Sequence, residues 1–92
     1  MNITNICDAL ILHFKLKKYD NNQAHPYKWY ALQIKGFANI EDKGFIRLIF
    51  NKLLKRNVLD KIKRNKSTLY YFRPYKISPK MKIKKEIIVY FN

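Results

Sequence analysis

The chain has 92 residues, enough for one small domain, and 48% of them are hydrophobic and 15% aromatic. This composition is too apolar for a disordered chain. Twenty lysines and arginines oppose six aspartates and glutamates, which gives a formal net charge of +14. So basic a balance indicates a polyanionic partner, of which nucleic acid is the usual kind and an anionic membrane surface the less usual one.

The positive charge is concentrated in the second half of the chain. Residues 1–51 carry a net charge of +3, whereas residues 52–92 carry +11. Cys7 is the single cysteine, so no disulfide can form within the chain, which fits a reducing compartment. No apolar run approaches the roughly 20 residues of a membrane-spanning helix, and no signal peptide is evident. We therefore predict a soluble intracellular protein without membrane association, in the cytoplasm or nucleoid, or in a host cell if the chain is viral.

Three helices are predicted in the first part of the chain. The first carries a stripe of apolar residues at helical spacing: Ile3, Ile6, Cys7, Leu10, Ile11 and Phe14. Residues 19–27 have the composition of a loop. Pro26 suits the start of the second helix, which we expect to stop at Gly36. Asn39 is expected to cap the third helix, over residues 41–56.

The third helix leads directly into a predicted hairpin. Its inward stripe is Ile46, Ile49, Phe50, Leu53 and Leu54. Asn57 is expected to end the helix in the left-handed conformation, which asparagine tolerates. Two β-rich runs follow, over residues 58–62 and 68–73, joined by a five-residue turn. Alternation in the second run sends Tyr70 and Phe72 to one face, and we expect the aromatic residues to build core rather than to stack on bases.

The end of the chain, "MKIKKEIIVYF", alternates apolar and polar residues. The alternation predicts a final strand, with a short helix as the alternative. We therefore divide the chain into a domain over residues 1–73 and a basic extension over residues 74–92. The extension either packs on the domain or serves as an arm.

The order of three helices and a hairpin is similar to that of the winged-helix superfamily. The segment "FIRLIFNKLLKRNVLDKIKRNKSTLYYF" resembles a recognition helix followed by a wing, with Asn57 where many members have glycine. The resemblance covers about residues 1–73. It implies an α+β winged-helix (winged helix-turn-helix) DNA-binding fold with an extra C-terminal strand or short helix. It also implies that helix 41–56 enters the major groove and that the 58–72 hairpin lies against the minor groove or flanking phosphates.

The polar face of the third helix supports the same site independently. Offsets of four place Lys43, Arg47, Asn51 and Lys55 opposite the apolar stripe. Arginine pairs with guanine and asparagine with adenine in bidentate fashion, so we expect Arg47 and Asn51 to read bases. Lys43, Lys52 and Lys55 are expected to meet phosphates. The alternative is an ordinary solvated face, but no acidic residue within 43–59 supplies the Glu–Lys pairing usual there.

The hairpin carries the densest cationic cluster: Lys61, Lys63, Arg64 and Lys66, with Arg73 just beyond the second run. We expect this cluster to contact the same polyanion as Arg47. Arg64 is the side chain best suited to a narrow minor groove. A solvated turn is the alternative, because charged residues are common in turns.

The sequence lacks the patterns of catalysis and of cofactor binding. It has no glycine-rich phosphate loop and no recognisable nucleophile–base pair, and its few carboxylates are scattered. Cys7, His13 and His25 do not have the spacing of metal ligands. We therefore predict a protein that is not an enzyme and that binds no metal or cofactor.

Together these patterns predict a small protein that binds double-stranded DNA sequence-specifically or semi-specifically, as a transcriptional regulator. The protein could also form a homodimer, with the first helix or the C-terminal strand as the interface. Two alternatives also remain open: a ribosomal or other RNA-binding winged-helix protein, and a winged-helix module that binds proteins.

Overall fold

The computed structural model of the chain describes residues 2–74. The fold is α+β, with three helices and a three-stranded antiparallel sheet whose central strand is the last one along the described chain, compatible with a winged-helix-like layout. The elements are α1 (Ile3–Leu16), β1 (Ala24–His25), α2 (Tyr27–Ala38), α3 (Lys43–Lys55), β2 (Leu59–Arg64) and β3 (Ser67–Phe72). The C-terminal strand and, apart from Pro74, the extension predicted over 74–92 lie outside the described residues.

One core joins the helices to the sheet, as the apolar periodicity predicts. Its fully enclosed large side chains are Tyr30, Phe14, Phe50, Phe72, Leu10, Ile34, Ile49, Leu53 and Cys7. The ring of Phe14 meets that of Phe72 edge-on, with their centroids 5.3 Å apart. Phe50 meets Tyr70 in the same manner at 4.9 Å. Burial of these rings supplies much of the apolar area that stabilises so small a domain.

The second helix does not stop at Gly36, contrary to expectation. It continues to Ala38, and Asn39 ends it in the left-handed conformation with φ of 56°. Glycine costs a helix about 1 kcal/mol relative to alanine, but the next turn offsets this by packing. Phe37 stacks on His13 at 4.5 Å, and Ala38 packs against the core. Asn39 therefore ends α2, and Asp42 caps α3 in its place, accepting a hydrogen bond from Gly44 N at 2.8 Å.

The sheet differs from expectation in two ways. The hairpin turn has two residues rather than five, because β2 and β3 pair as far as Arg64 and Ser67. Asn65 adopts φ of 55°, which allows so tight a turn. The loop before α2 also contributes β1, which pairs with the other edge of β3. Asn57 is left-handed with φ of 61°, as predicted, and it leads α3 into β2.

Candidate nucleic-acid interface

Six residues of α3 are exposed, and four of them form a line along the helix, here called the outward line: Gly44, Leu48, Asn51 and Lys55. Their spacing of four, three and four keeps them on one face of the helix, opposite the buried residues. Asp42 fixes the first turn, because its carboxylate also accepts from Phe45 N at 3.4 Å. A Cβ at position 44 would lie 3.3 Å from that carboxylate, a tighter contact than most side chains make.

Arg47 is exposed, as the sequence pattern predicts, but it lies to one side of the outward line. Each offset of four residues advances about 40° beyond a full helical turn, so the predicted stripe slants across the helix. The first two residues of the predicted stripe, Lys43 and Arg47, therefore lie on the side of α3 nearest α2. The guanidinium carbon of Arg47 lies 4.4 Å from the centre of the Tyr27 ring and 5.6 Å from that of Phe50. Arg47 thus packs on two aromatic rings at the junction of α2 and α3.

Lys43 faces a cleft between α2 and α3, here called the α2–α3 cleft, with a volume of about 450 Å³. Lys28 and Lys35 line its other side, and Tyr27, Ala31 and Ile46 form its apolar part. Glu41 is the single acidic residue that lines it. The α2 lysines were not among the predicted site residues. Their separation of seven, with an alanine between them, is the one sequence signal that places both on the same side of α2.

Asn51, Lys52 and Lys55 line a shallow depression on the other flank of α3, with a volume of about 490 Å³. The apolar residues of the depression are Ile3, Leu48 and Leu54. Leu48 is 55% exposed. Asn51 and Lys55 are exposed as predicted, whereas Lys52 is half-buried toward α1.

The hairpin divides its cations between two faces. Lys61 pairs with Tyr70 and Lys63 with Thr68 across the strands, so both lie on the sheet face that packs on the helices, here called the inner face. Arg64 lies on the opposite, outer face, where its Nη2 donates a hydrogen bond to Tyr71 Oη at 3.0 Å. Lys66 is exposed in the two-residue turn.

Arg73 also belongs to the outer face, and its guanidinium is held by three neighbours. It donates to Asp60 Oδ2 at 3.2 Å and to Asn22 Oδ1 at 2.9 Å, and it lies 4.3 Å from the centre of the Tyr71 ring. Tyr71 therefore contacts both outer-face arginines. The structure thus brings Lys61 and Lys63 toward the helices and keeps Arg64 and Arg73 on the far side of the sheet. Arg47 and Arg64 do not share a face.

Most carboxylates of the described residues have local partners. Asp8 forms an ion pair with Arg56 at 2.6 Å, and Asp60 forms one with Arg73. Asp42 caps α3. Between Lys43 and Lys55 the helix itself carries no acidic side chain. Positive side chains therefore outnumber negative ones on α3 and in the α2–α3 cleft, and Lys61 and Lys63 add positive charge on the inner face of the hairpin.

The groups with shifted pKa values lie elsewhere. Burial raises the pKa of the Cys7 thiol, whose sulfur lies 3.9 Å from the Ile49 carbonyl oxygen. Burial also raises the pKa of Tyr30 and lowers that of His25. Residues 2–74 contain no cluster of three or more potential metal ligands. Nor does that part of the chain include a helix of the length and apolarity needed to cross a membrane.

No protein-family model, no curated protein and no solved structure matches the chain.

Proposed function

We propose that the chain binds double-stranded DNA, with α3 in the major groove and lysines of α2 and β2 on the flanking phosphates. One observation supports the proposal: lysines line both flanks of an exposed helix that has no carboxylate of its own, and β2, which follows that helix, carries two more. These lysines are Lys28 and Lys35 on α2, Lys43, Lys52 and Lys55 on α3, and Lys61 and Lys63 on β2. Such an arrangement positions a duplex through its phosphates, while the helix reads the bases.

The exposed helix favours DNA over duplex RNA. The major groove of B-DNA is about 12 Å wide and admits an α-helix. The major groove of A-form RNA is deep and narrow, so side chains on a helix cannot read it. A small DNA-binding protein of this kind acts inside a cell, and transcriptional regulation is the role that suits one exposed reading helix. The outer-face arginines, Arg64 and Arg73, stabilise the hairpin through Tyr71 and Asp60 in this proposal.

The salt dependence of binding tests the proposal. Neutralising seven phosphates gives a slope of about −6 for the logarithm of the binding constant against that of salt concentration. Fluorescence anisotropy with labelled duplex DNA, duplex RNA and single-stranded DNA at several salt concentrations measures it. We expect the tightest binding for duplex DNA. A slope near zero, or equal binding of every probe by wild type and charge variants alike, would contradict the proposal.

A matched pair of variants assigns the binding to this surface. Lys43→Glu with Lys55→Glu places two negative charges beside the outward line, whereas Lys17→Glu with Lys18→Glu makes the same charge change beyond the end of α1. We expect the first pair to abolish duplex binding and the second to weaken it only slightly. Equal losses would indicate that net charge alone attracts the duplex. Preference for duplex RNA would favour the RNA-binding alternative.

A further inference from the structure

Leu48 occupies the centre of the outward line. It is 55% exposed, whereas Leu53, on the opposite side of the helix, is fully buried. Gly44 precedes it by one turn and has no side chain. Along the outward line, Leu48 is therefore the first residue whose side chain projects from the helix. A duplex that meets this face would contact the leucine before any other apolar side chain of the helix.

The surroundings of Leu48 match the edge of an A·T base pair. The depression that it lines is also lined by Asn51, Lys52 and Lys55, with Ile3 and Leu54 as apolar neighbours. In the major groove a thymine presents a C5-methyl group, and its adenine presents the N7 acceptor and the N6 donor. Leucine offers apolar contact to the methyl group, and asparagine offers a bidentate pair to adenine.

The spacing of Leu48 and Asn51 along the helix also suits contact with one base pair or with two neighbouring base pairs. Residues three apart, such as Leu48 and Asn51, have Cβ atoms about 5–6 Å apart on the helix surface. Successive bases of one strand are about 3.4 Å apart along the duplex axis. The two side chains therefore reach the same or neighbouring base pairs. Arginine is the side chain that most often pairs with guanine, but Arg47 packs on the ring of Tyr27 and does not lie on the outward line.

We infer that Leu48 determines specificity by contacting the methyl group of thymine beside an adenine read by Asn51, so that the preferred sites are rich in A·T pairs. The inference rests on the proposed function. An exposed leucine can also mark a contact with another protein. Two ammonium groups beside it and no carboxylate on the helix favour the polyanion.

Replacing thymine by uracil tests the inference, because uracil lacks only the methyl group. The probes are a duplex of alternating A and T and the same duplex with uracil, and the variants are Leu48→Ala and Leu12→Ala. Leu12 is 58% exposed on α1 and serves as the matched control. Thermal unfolding of each variant confirms that the fold is retained. Loss of one buried methyl contact weakens binding about three- to fivefold.

We expect wild type and Leu12→Ala to bind the uracil duplex about three- to fivefold more weakly than the thymine duplex. Leu48→Ala is expected to bind the thymine duplex more weakly than wild type and to treat the two duplexes alike. Salt-dependent binding with no difference between the duplexes would overturn the role of Leu48 and leave the proposed function standing. Unchanged DNA binding by Leu48→Ala would also overturn it. Absence of duplex binding by wild type would overturn both proposals.

Discussion

The hydroxyl of Tyr30 donates a hydrogen bond to the backbone carbonyl of Tyr70 over 2.9 Å, and both residues are buried. This bond joins the middle of α2 to the central strand of the sheet. The Tyr30→Phe variant keeps the ring and leaves the carbonyl without that donor. We expect the free energy of unfolding to fall by about 1–2 kcal/mol, measured by urea denaturation. Tyr19→Phe is the control and should cost less, because its hydroxyl bond to Gln33 is longer, at 3.4 Å, and only partly buried.

The same hydroxyl makes the stability depend on alkaline pH. Burial raises the pKa of Tyr30 above its ordinary value of 10.0. In the unfolded chain the hydroxyl ionises near that ordinary value, while the folded protein keeps it protonated. The contribution of Tyr30 is therefore complete below pH 10 and is lost as the pH rises above it. The stability difference between wild type and Tyr30→Phe should shrink from about pH 9 to about pH 11. A constant difference would contradict this origin.

His25 should make the fold sensitive to mild acid. Its ring stacks on Trp29 with centroids 3.8 Å apart, and burial lowers its pKa below the ordinary 6.5. Its contribution is therefore complete above pH 6.5 and falls as the pH drops below that value, because the unfolded chain takes up the proton first. We expect the melting temperature to fall between about pH 7.5 and about pH 5.5. The His25→Phe variant should lose part of this fall, and an identical fall in both proteins would contradict the prediction.

Lys28 and Lys35 are predicted to contact phosphates through the α2–α3 cleft. Each change to alanine should weaken binding about equally for all duplex sequences and reduce the salt slope by about 0.9. Anisotropy titrations against two unrelated duplexes measure both effects. Lys18→Ala is the charge-matched control, since Lys18 is exposed beyond α1 and does not line the cleft. A larger effect on one duplex than on the other would instead indicate that these lysines read bases.

The two faces of the hairpin should contribute unequally to binding. Lys61→Ala with Lys63→Ala removes two cations from the inner face, whereas Arg64→Ala with Arg73→Ala removes two from the outer face. We expect the inner pair to weaken duplex binding more and the outer pair to lower thermal stability more, because Arg73 bonds Asp60 and Asn22. Binding titrations and thermal unfolding of both double variants provide the comparison. The reverse order would place the duplex on the outer face.

The helices and the core follow from local pattern. The apolar stripes of α1 and α3 require only helical periodicity, and the alternation in β3 is enough to separate Tyr70 from Tyr71. The predicted left-handed Asn57 likewise depends on one residue and its neighbours. The prediction of an α+β fold is therefore confirmed, as is the order of the three helices and the hairpin, whereas β1 was not predicted.

The features that the sequence did not predict depend on contacts between segments that are distant along the chain. α2 passes Gly36 because Phe37 finds His13 on another helix. β1 is two residues long and exists only where β3 offers an edge. The position of Arg47 depends on Tyr27, which arrives from α2. Similarly, Lys28 and Lys35 become neighbours of Lys43 only after α2 packs on α3.

The strand order affects how copies of the protein associate with one another. Within residues 2–74, β2 pairs with β3 alone, and no other described strand pairs with its second edge. Such an edge invites pairing with another molecule, and charges along it prevent this by repulsion. Lys61, Lys63 and Arg64 supply those charges. Under the proposed function, a duplex that neutralises Lys61 and Lys63 also weakens this repulsion, and we then expect neighbouring molecules on one duplex to pair edge to edge.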